Sequence, residues 1–266
     1  MDDLDGRGLV LLGCGKMGSA LLAGWLARGV APAAVHVIEP APSDDLRGAG
    51  VRLNAGLPAD PAVAVLAVKP QVMGAALPAL AGLRDTLFVS IAAGTRLRAL
   101  DAALGGGRRI VRAMPNTPAA VGRGITAIVG NAAAGAGDLA LAEGLLAAVG
   151  EVVRLPDEGL MDAVTAVSGS GPAYVFHLIE ALAAAGTAQG LPADLAMRLA
   201  RATVTGAGEL ARLSDASAAQ LRVNVTSPGG TTAAALAQLM DPDTGLGPLM
   251  ARAVAAATAR GRELGA

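Results

Sequence analysis

Short, nearly unbroken runs of apolar residues recur through the first part of the chain. Leu9-Val10-Leu11-Leu12, Val35-His36-Val37-Ile38, Val63-Ala64-Val65-Leu66-Ala67-Val68, Leu87-Phe88-Val89-Ser90-Ile91 and Ile110-Val111-Arg112-Ala113 are each bounded by polar or glycine-rich stretches. A strand with one solvated face would alternate apolar and polar residues. A continuous run instead fits a strand covered on both faces, as in a parallel sheet. Helical spacing follows the first run from about Met17 to Arg28, and Ile125–Val129 and Val152–Leu155 read as late strands completing one edge. Strand and helix in alternation predict a doubly wound α/β fold.

The pattern changes at Pro156-Asp157-Glu158. Beyond it come long Ala/Leu-rich helical segments without a strand, broken at Gly190-Leu191-Pro192, Leu213-Ser214-Asp215, Ser227-Pro228-Gly229-Gly230 and Asp241-Pro242-Asp243. Such breaks mark turns between helices. Two domains are expected: residues 1–157, nucleotide-binding, and residues 158–266, helical.

Composition sharpens the second half of that expectation. Hydrophobic residues make up 53% of the 266 but aromatics only 2%, so the core must be built from Ala, Val and Leu. Small side chains bury little area each, and a helical domain built from them needs a partner chain. A formal net charge of -1 without a basic run argues against a nucleic-acid surface. One cysteine, Cys14, excludes an internal disulfide, and with only two histidines it argues against a zinc site. The acidic start Met1-Asp2-Asp3-Leu4-Asp5 is unlike a signal peptide, and no stretch has the length and apolarity of a membrane span. The expected location is the cytoplasm.

Gly13-Cys14-Gly15-Lys16-Met17-Gly18 fits G-x-G-x-x-G between the first strand and the first helix. The first glycine permits the tight turn, the second lets backbone approach a pyrophosphate, and the third lets helix and strand pack closely. Glu39 ends the second strand roughly 20 residues on, where a carboxylate accepts the adenosine ribose hydroxyls and repels a 2′-phosphate. This favours NADH over NADPH; the alternative is a solvated loop-end glutamate.

The lysines are Lys16 and Lys69, and neither lies in the helical half. Oxidation of a hydroxyl needs a base to take the O–H proton. The helical half offers His177 and Tyr174 in the apolar run Ala173–Ile179, where both read as packed helix residues. Reduction of a C=N bond asks less, because the imine nitrogen takes its proton readily and positioning does the rest. Ser227-Pro228-Gly229-Gly230-Thr231-Thr232 precedes a helix-like run and admits two readings. It is a turn with a helix cap, or a cluster of free backbone N–H groups that holds an anion.

These stretches together resemble the pyrroline-5-carboxylate reductase family. The glycine loop, Ala67-Val68-Lys69-Pro70, Ser90-Ile91-Ala92-Ala93-Gly94, Arg112-Ala113-Met114-Pro115-Asn116-Thr117-Pro118, Val167-Ser168-Gly169-Ser170-Gly171-Pro172-Ala173-Tyr174 and Ser227–Thr232 occur in the family's order. The resemblance implies a Rossmann domain and a helical domain that interlocks with a second subunit, in homodimers often built into decamers. It implies NAD(P)H-dependent reduction of 1-pyrroline-5-carboxylate to L-proline. Gly13, Gly15, Lys16, Met17, Gly18 and Glu39 would hold the cofactor, with Asn54 near its adenosine ribose. Ala67, Val68, Lys69 and Pro70 would lie near the nicotinamide ribose, and Ala92, Gly94, Met114 and Asn116 would line the same end of the cleft. Ser227, Gly229, Gly230, Thr231 and Thr232 would hold the substrate carboxylate, with the Thr232 hydroxyl facing the ring nitrogen.

Two positions depart from the family's habit. Lys16 stands where many members carry Asn, and Glu39 where many carry a small polar residue suited to NADPH. Rival readings are a β-hydroxyacid dehydrogenase or an imine reductase of the same plan, and a nucleotide-binding assembly protein without chemistry. The absent lysine disfavours the dehydrogenase, the carboxylate loop a neutral imine, and the intact Thr232 loop the inert protein.

Overall fold

A computed structural model describes residues 6–265; the acidic start Met1–Asp5 lies outside them. Contacts divide the chain into two compact units. The first runs to Gly169 and takes back the residues from Thr258 on; the second is Ser170–Ala257. The sequence placed the division at residues 157/158. Residues 158–169 stay with the first unit because their side chains pack there: Met161 is fully buried in the core beneath the sheet.

The first unit holds one eight-stranded sheet in the order β3-β2-β1-β4-β5-β6-β7-β8. Its strands are β1 (Leu9–Leu12), β2 (Val35–Ile38), β3 (Arg52–Leu53), β4 (Val63–Leu66), β5 (Leu87–Ser90), β6 (Ile110–Met114), β7 (Gly124–Gly130) and β8 (Gly150–Arg154). β1 to β6 are parallel; β7 runs antiparallel to β6 and parallel to β8. Two-residue β3 is too short to leave a periodic signal in the sequence. The run Val63–Val68 forms strand only to Leu66; Ala67 N–H makes a last bond to Leu12 O (2.8 Å) and the chain then leaves the sheet.

Apolar-throughout strands divide their side chains between two cores. Leu9 and Leu11 pack on one face with Leu21, Leu22 and Trp25; Val10 and Leu12 pack on the other with Leu77, Leu80 and Leu100. The helices that cover the faces are α1 (Lys16–Ala27), α2 (Asp44–Gly48), α3 (Pro70–Ala76), α4 (Leu97–Ala103), α5 (Ala136–Leu146) and α6 (Met161–Val164). Trp25 is fully buried and donates its indole N–H to Leu145 O (2.9 Å), which ties α1 to α5. A reversal of strand order beside β1 opens the crevice at the carboxyl ends of the parallel strands, where such folds take their ligands.

The second unit is helical: α7 (Gly171–Ala188), α8 (Ala193–Leu213), α9 (Ala218–Asn224), α10 (Thr231–Leu239) and most of α11 (Leu246–Leu264). Its buried cluster is Ala183, Ala196 and Ala200 with Ile179 against them. Leu182, Leu199, Leu210, Leu239 and Met240 remain exposed, and Phe176 keeps 60% of its surface. A core of alanines cannot cover the leucines on these helices. Among the described residues, no helix is long and apolar enough to cross a membrane.

Candidate functional site

Three glycines build the turn between β1 and α1, each for a different reason. Gly13 stands at φ +90°, and a Cβ there would lie 2.8 Å from Val68 Cγ1 and 3.0 Å from Ala67 O. A Cβ on Gly18 would lie 2.6 Å from Gly13 O, so helix and turn could not meet. Above Gly15 nothing comes within 4 Å. The first intrahelical bond of the turn runs from Ser19 N–H to Gly15 O (2.8 Å). The N–H groups of Lys16, Met17 and Gly18 therefore have no intrahelical acceptor and concentrate positive potential at the helix start. Crowding behind the loop and open space before Gly15 fit a dinucleotide pyrophosphate. The Lys16 side chain is exposed.

Glu39, at the end of β2, closes over this loop. Its Oε2 accepts the Cys14 N–H (2.8 Å) and its Oε1 accepts the Ala41 N–H (3.0 Å). Asn54 holds the backbone of Glu39 from both sides: its Oδ1 accepts Glu39 N–H (3.0 Å) and its Nδ2 donates to Glu39 O (2.9 Å). Asn54 does so at φ +51°, the one positive φ outside glycine among the described residues. Asparagine tolerates that region better than most residues. Burial pushes the Cys14 thiol above its usual pKa; a hydrogen bond with Ser19 opposes the shift and the Glu39 charge adds to it. Cys14 is thus held as a neutral thiol.

The residues expected from the sequence at the nicotinamide end sit at the carboxyl ends of β4, β5 and β6. Lys69 is the N-cap of α3 with Pro70 at its first position, and both side chains are exposed. Ala92 is buried and Gly94 stands at φ +75° in the loop after β5. Met114 ends β6, and its Cε would collide at 2.6 Å with any Cβ on Gly169. Asn116 is buried, with its carboxamide committed: Nδ2 donates to Ser168 O (3.1 Å) and Oδ1 accepts Ile125 N–H (3.0 Å). Ser168 belongs to a π-helical turn, Thr165–Gly169, a conformation frequent at functional sites.

Sequence reasoning missed a charged pair under this loop. Arg112 in β6 and Glu158 form a salt bridge of 2.7 Å, with Arg112 side-chain exposure only 5%. The available signal was an arginine inside an otherwise apolar strand.

The second unit carries the Ser227–Thr232 stretch by itself. Gly230 N–H closes a turn on Ser227 O (3.0 Å), and Gly229 takes φ +67°. Gly230 is the N-cap of α10 and makes no side-chain cap, so Thr231 and Thr232 are the first two helical residues. Ala234 N–H is the first to bond back, to Gly230 O (3.2 Å), leaving the N–H groups of Thr231, Thr232 and Ala233 without an intrahelical acceptor. The half-buried Thr232 makes no side-chain hydrogen bond to a described residue. Thr232 is therefore not the cap. His177, read from sequence as packed, is exposed within the chain and pairs with Glu180 at 3.2 Å. The apolar run around it belongs to a helix with few large neighbours to pack against.

Family models match both the nucleotide-type and the helical parts of the chain. Residues 158–264 match the family model for pyrroline-5-carboxylate reductase dimerisation, and residues 9–94 match that for NADP oxidoreductase, coenzyme F420-dependent. The chain is 42% identical to a pyrroline-5-carboxylate reductase of Pseudomonas aeruginosa over 96% of both chains. It is 38% identical to that of Pisum sativum, over 98% of this chain and 97% of the relative. The solved pyrroline-5-carboxylate reductase of Coxiella burnetii superposes with a TM-score of 0.90 at 34% identity, over 98% of this chain and 99% of that one. The Plasmodium falciparum enzyme, solved with NADP bound, gives 0.81 at 30% identity, over the same shares.

Proposed function

The chain belongs to the pyrroline-5-carboxylate reductase family, and on that premise we propose how its residues divide the reduction of 1-pyrroline-5-carboxylate to L-proline. A reduced nicotinamide dinucleotide supplies the hydride for the C=N carbon. The free N–H groups of Lys16, Met17 and Gly18 hold its pyrophosphate, with Gly13 and Gly15 keeping that approach clear. Ala67, Val68, Lys69 and Pro70 take the nicotinamide ribose, and Ala92, Gly94, Met114 and Asn116 shape the ring's end of the cleft.

Glu39 selects NADH. Its carboxylate already accepts the Cys14 and Ala41 N–H groups, two donors that would otherwise welcome a 2′-phosphate, and it adds a like charge where that phosphate would sit. Asn54 sets this arrangement by fixing the Glu39 backbone beside the adenosine ribose.

Substrate binding falls to the other unit. The N–H groups of Thr231 and Thr232, with Ser227, Gly229 and Gly230 shaping the turn, hold the carboxylate at the start of α10. The Thr232 hydroxyl donates a hydrogen bond to the ring nitrogen as hydride pushes the C=N electron pair onto it, and solvent supplies the proton that completes the amine. The observation that carries this reading is the unengaged Thr232 hydroxyl beside free helix N–H groups. The nucleotide unit, read from sequence as residues 1–157, binds cofactor; residues 158–266 bind substrate and build a homodimer, with decamers as its higher assembly. The lone cysteine supports a place in the reducing cytoplasm.

Oxidation of NADH followed at its absorbance band, with 1-pyrroline-5-carboxylate added last, tests the assignment. Substrate-dependent oxidation that yields proline is expected. Tight NADH binding without turnover would favour a nucleotide-binding assembly protein, and turnover of a 3-hydroxy acid instead would favour the dehydrogenase.

A further inference from the structure

Glu158 acts on the first unit from far along the chain. Its Oε1 accepts the N–H of Leu97 (2.8 Å), the first residue of α4, and also pairs with Arg112 Nη1 (2.7 Å). Arg96, the N-cap of α4, makes no side-chain cap of its own. The carboxylate therefore does the work of a helix cap, where a negative charge meets the positive end of the helix.

The bonds close a ring. Backbone pairing sets Arg112 opposite Ser90, the last residue of β5. The Arg112 side chain holds Glu158, and Glu158 holds Leu97. The loop between Ser90 and Leu97, which carries Ala92 and Gly94, is thereby fixed at both ends by one arginine. The last turn of α11 lies on the same loop: a Cβ on Gly265 would stand 3.2 Å from both Gly94 O and Arg96 Nε.

We propose that Arg112 and Glu158 are positioning residues for the cofactor, a staple that sets the loop 91–96 at the nicotinamide end of the cleft. The ion pair by itself is a weak source of stability, since desolvating two charges offsets most of their attraction. Its value lies in geometry, because core packing holds Leu97 and Leu100 while Glu158 supplies the side-chain acceptor that takes the first N–H of α4. This rests on the reading that Ala92 and Gly94 line the cofactor cleft.

The test compares Glu158→Gln with the double variant Arg112→Met/Glu158→Leu, measuring melting temperature, kcat and the KM for NADH. Glu158→Gln keeps an acceptor for Leu97 N–H but leaves a buried guanidinium without its counter-charge. It should melt lower while its KM for NADH stays within about twofold of the original. The double variant removes both charges, so no buried charge is stranded, and its melting temperature should fall less than that of Glu158→Gln, the lost helix cap being its main cost. It also removes the acceptor for Leu97, and its KM for NADH should rise at least about fivefold with kcat within about twofold, a loss of about 1 kcal/mol in cofactor binding. A structural role alone would make KM follow melting temperature through both variants, and that result overturns the proposal, as does an unchanged KM in the double variant. Hydrogen exchange of residues 91–97 with and without NADH separates the two failures. If NADH protects these amides, a null result in the variants counts against the staple alone. If NADH leaves them unchanged, the placement of the loop at the cofactor falls, and the staple's purpose with it.

Discussion

Glu39 Oε2 accepts the backbone N–H of Cys14 at 2.8 Å, so the carboxylate at the end of β2 is bonded directly to the glycine loop that follows β1. Its other oxygen takes the Ala41 N–H. One side chain thus occupies two backbone donors at the place where nucleotide-binding folds distinguish a ribose from a ribose phosphate.

Replacing that carboxylate should release both donors and remove the repelling charge. Glu39→Ser is expected to raise kcat/KM with NADPH relative to NADH by about tenfold or more, about 1.4 kcal/mol in discrimination. The original chain should use NADH at least as well as NADPH. Steady-state kinetics with both cofactors checks this, and a tenfold preference for NADPH before any substitution would mean that Glu39 does not face the ribose.

Gly15 and Gly18 should fail differently when changed to alanine. A Cβ on Gly18 falls 2.6 Å from Gly13 O, a backbone atom that cannot step aside. Gly18→Ala should cost about 1–3 kcal/mol of stability, the range for overpacking, and weaken NADH binding with it. A Cβ on Gly15 meets nothing within 4 Å, and its φ of -70° suits alanine. Gly15→Ala should fold almost as stably as the original and yet bind NADH at least about tenfold more weakly, because the methyl enters the approach to the pyrophosphate. Denaturation curves and NADH titration on the two variants distinguish a packing glycine from a ligand glycine.

Much of this was legible because it is local. The apolar runs gave the strands, since burial on both faces leaves no alternation to confuse with a helix. The loop glycines are assigned by their spacing, and the crowding at Gly13 and Gly18 and the open space at Gly15 fit that assignment. What was not legible depends on residues distant in sequence. Glu158 reads as one more charge at a domain boundary until the fold brings it to Leu97 and Arg112, 61 and 46 residues away. The family resemblance marks Asn54 near the adenosine ribose, but that its carboxamide spans the Glu39 backbone emerges only from the fold. His177 misled for a related reason: an apolar run implies burial, but not which chain provides it.

Assembly follows from the exposed face of the helical unit. Val175, Phe176, Leu178 and Leu182 lie on α7 with 43% to 60% of their surfaces uncovered in the single chain. A dimer burying at least about 2,000 Å², the obligate range, is expected to cover them. Sedimentation should find no active monomer at working concentration. Phe176→Glu should split the dimer and lower the melting temperature, whereas an active, stable monomer would show that this face needs no partner.

Thr232 offers the sharpest test of how the substrate is held. It is the second residue of α10, Gly230 supplies the N-cap position, and the hydroxyl bonds no other described residue. Thr232→Val keeps the branched shape and removes only the hydroxyl. Since no protein hydrogen bond is lost, stability should change by no more than about 0.5 kcal/mol, the usual range away from buried or capping features. Turnover should respond differently. Hydride arriving at the neighbouring carbon pushes the C=N electron pair onto the ring nitrogen, so a hydrogen bond donated to it strengthens on the way to the transition state. Bonds of that kind to a charged partner are worth about 1.5 to 3 kcal/mol, which corresponds to about a ten- to hundredfold change in rate. Kinetics at saturating 1-pyrroline-5-carboxylate should therefore show kcat falling at least about tenfold, with the KM for NADH unaltered. A fall confined to the KM for substrate would mean that the hydroxyl helps hold the carboxylate and does not meet the nitrogen. Unchanged kcat and KM would remove Thr232 from the chemistry and leave its backbone N–H as its only contribution.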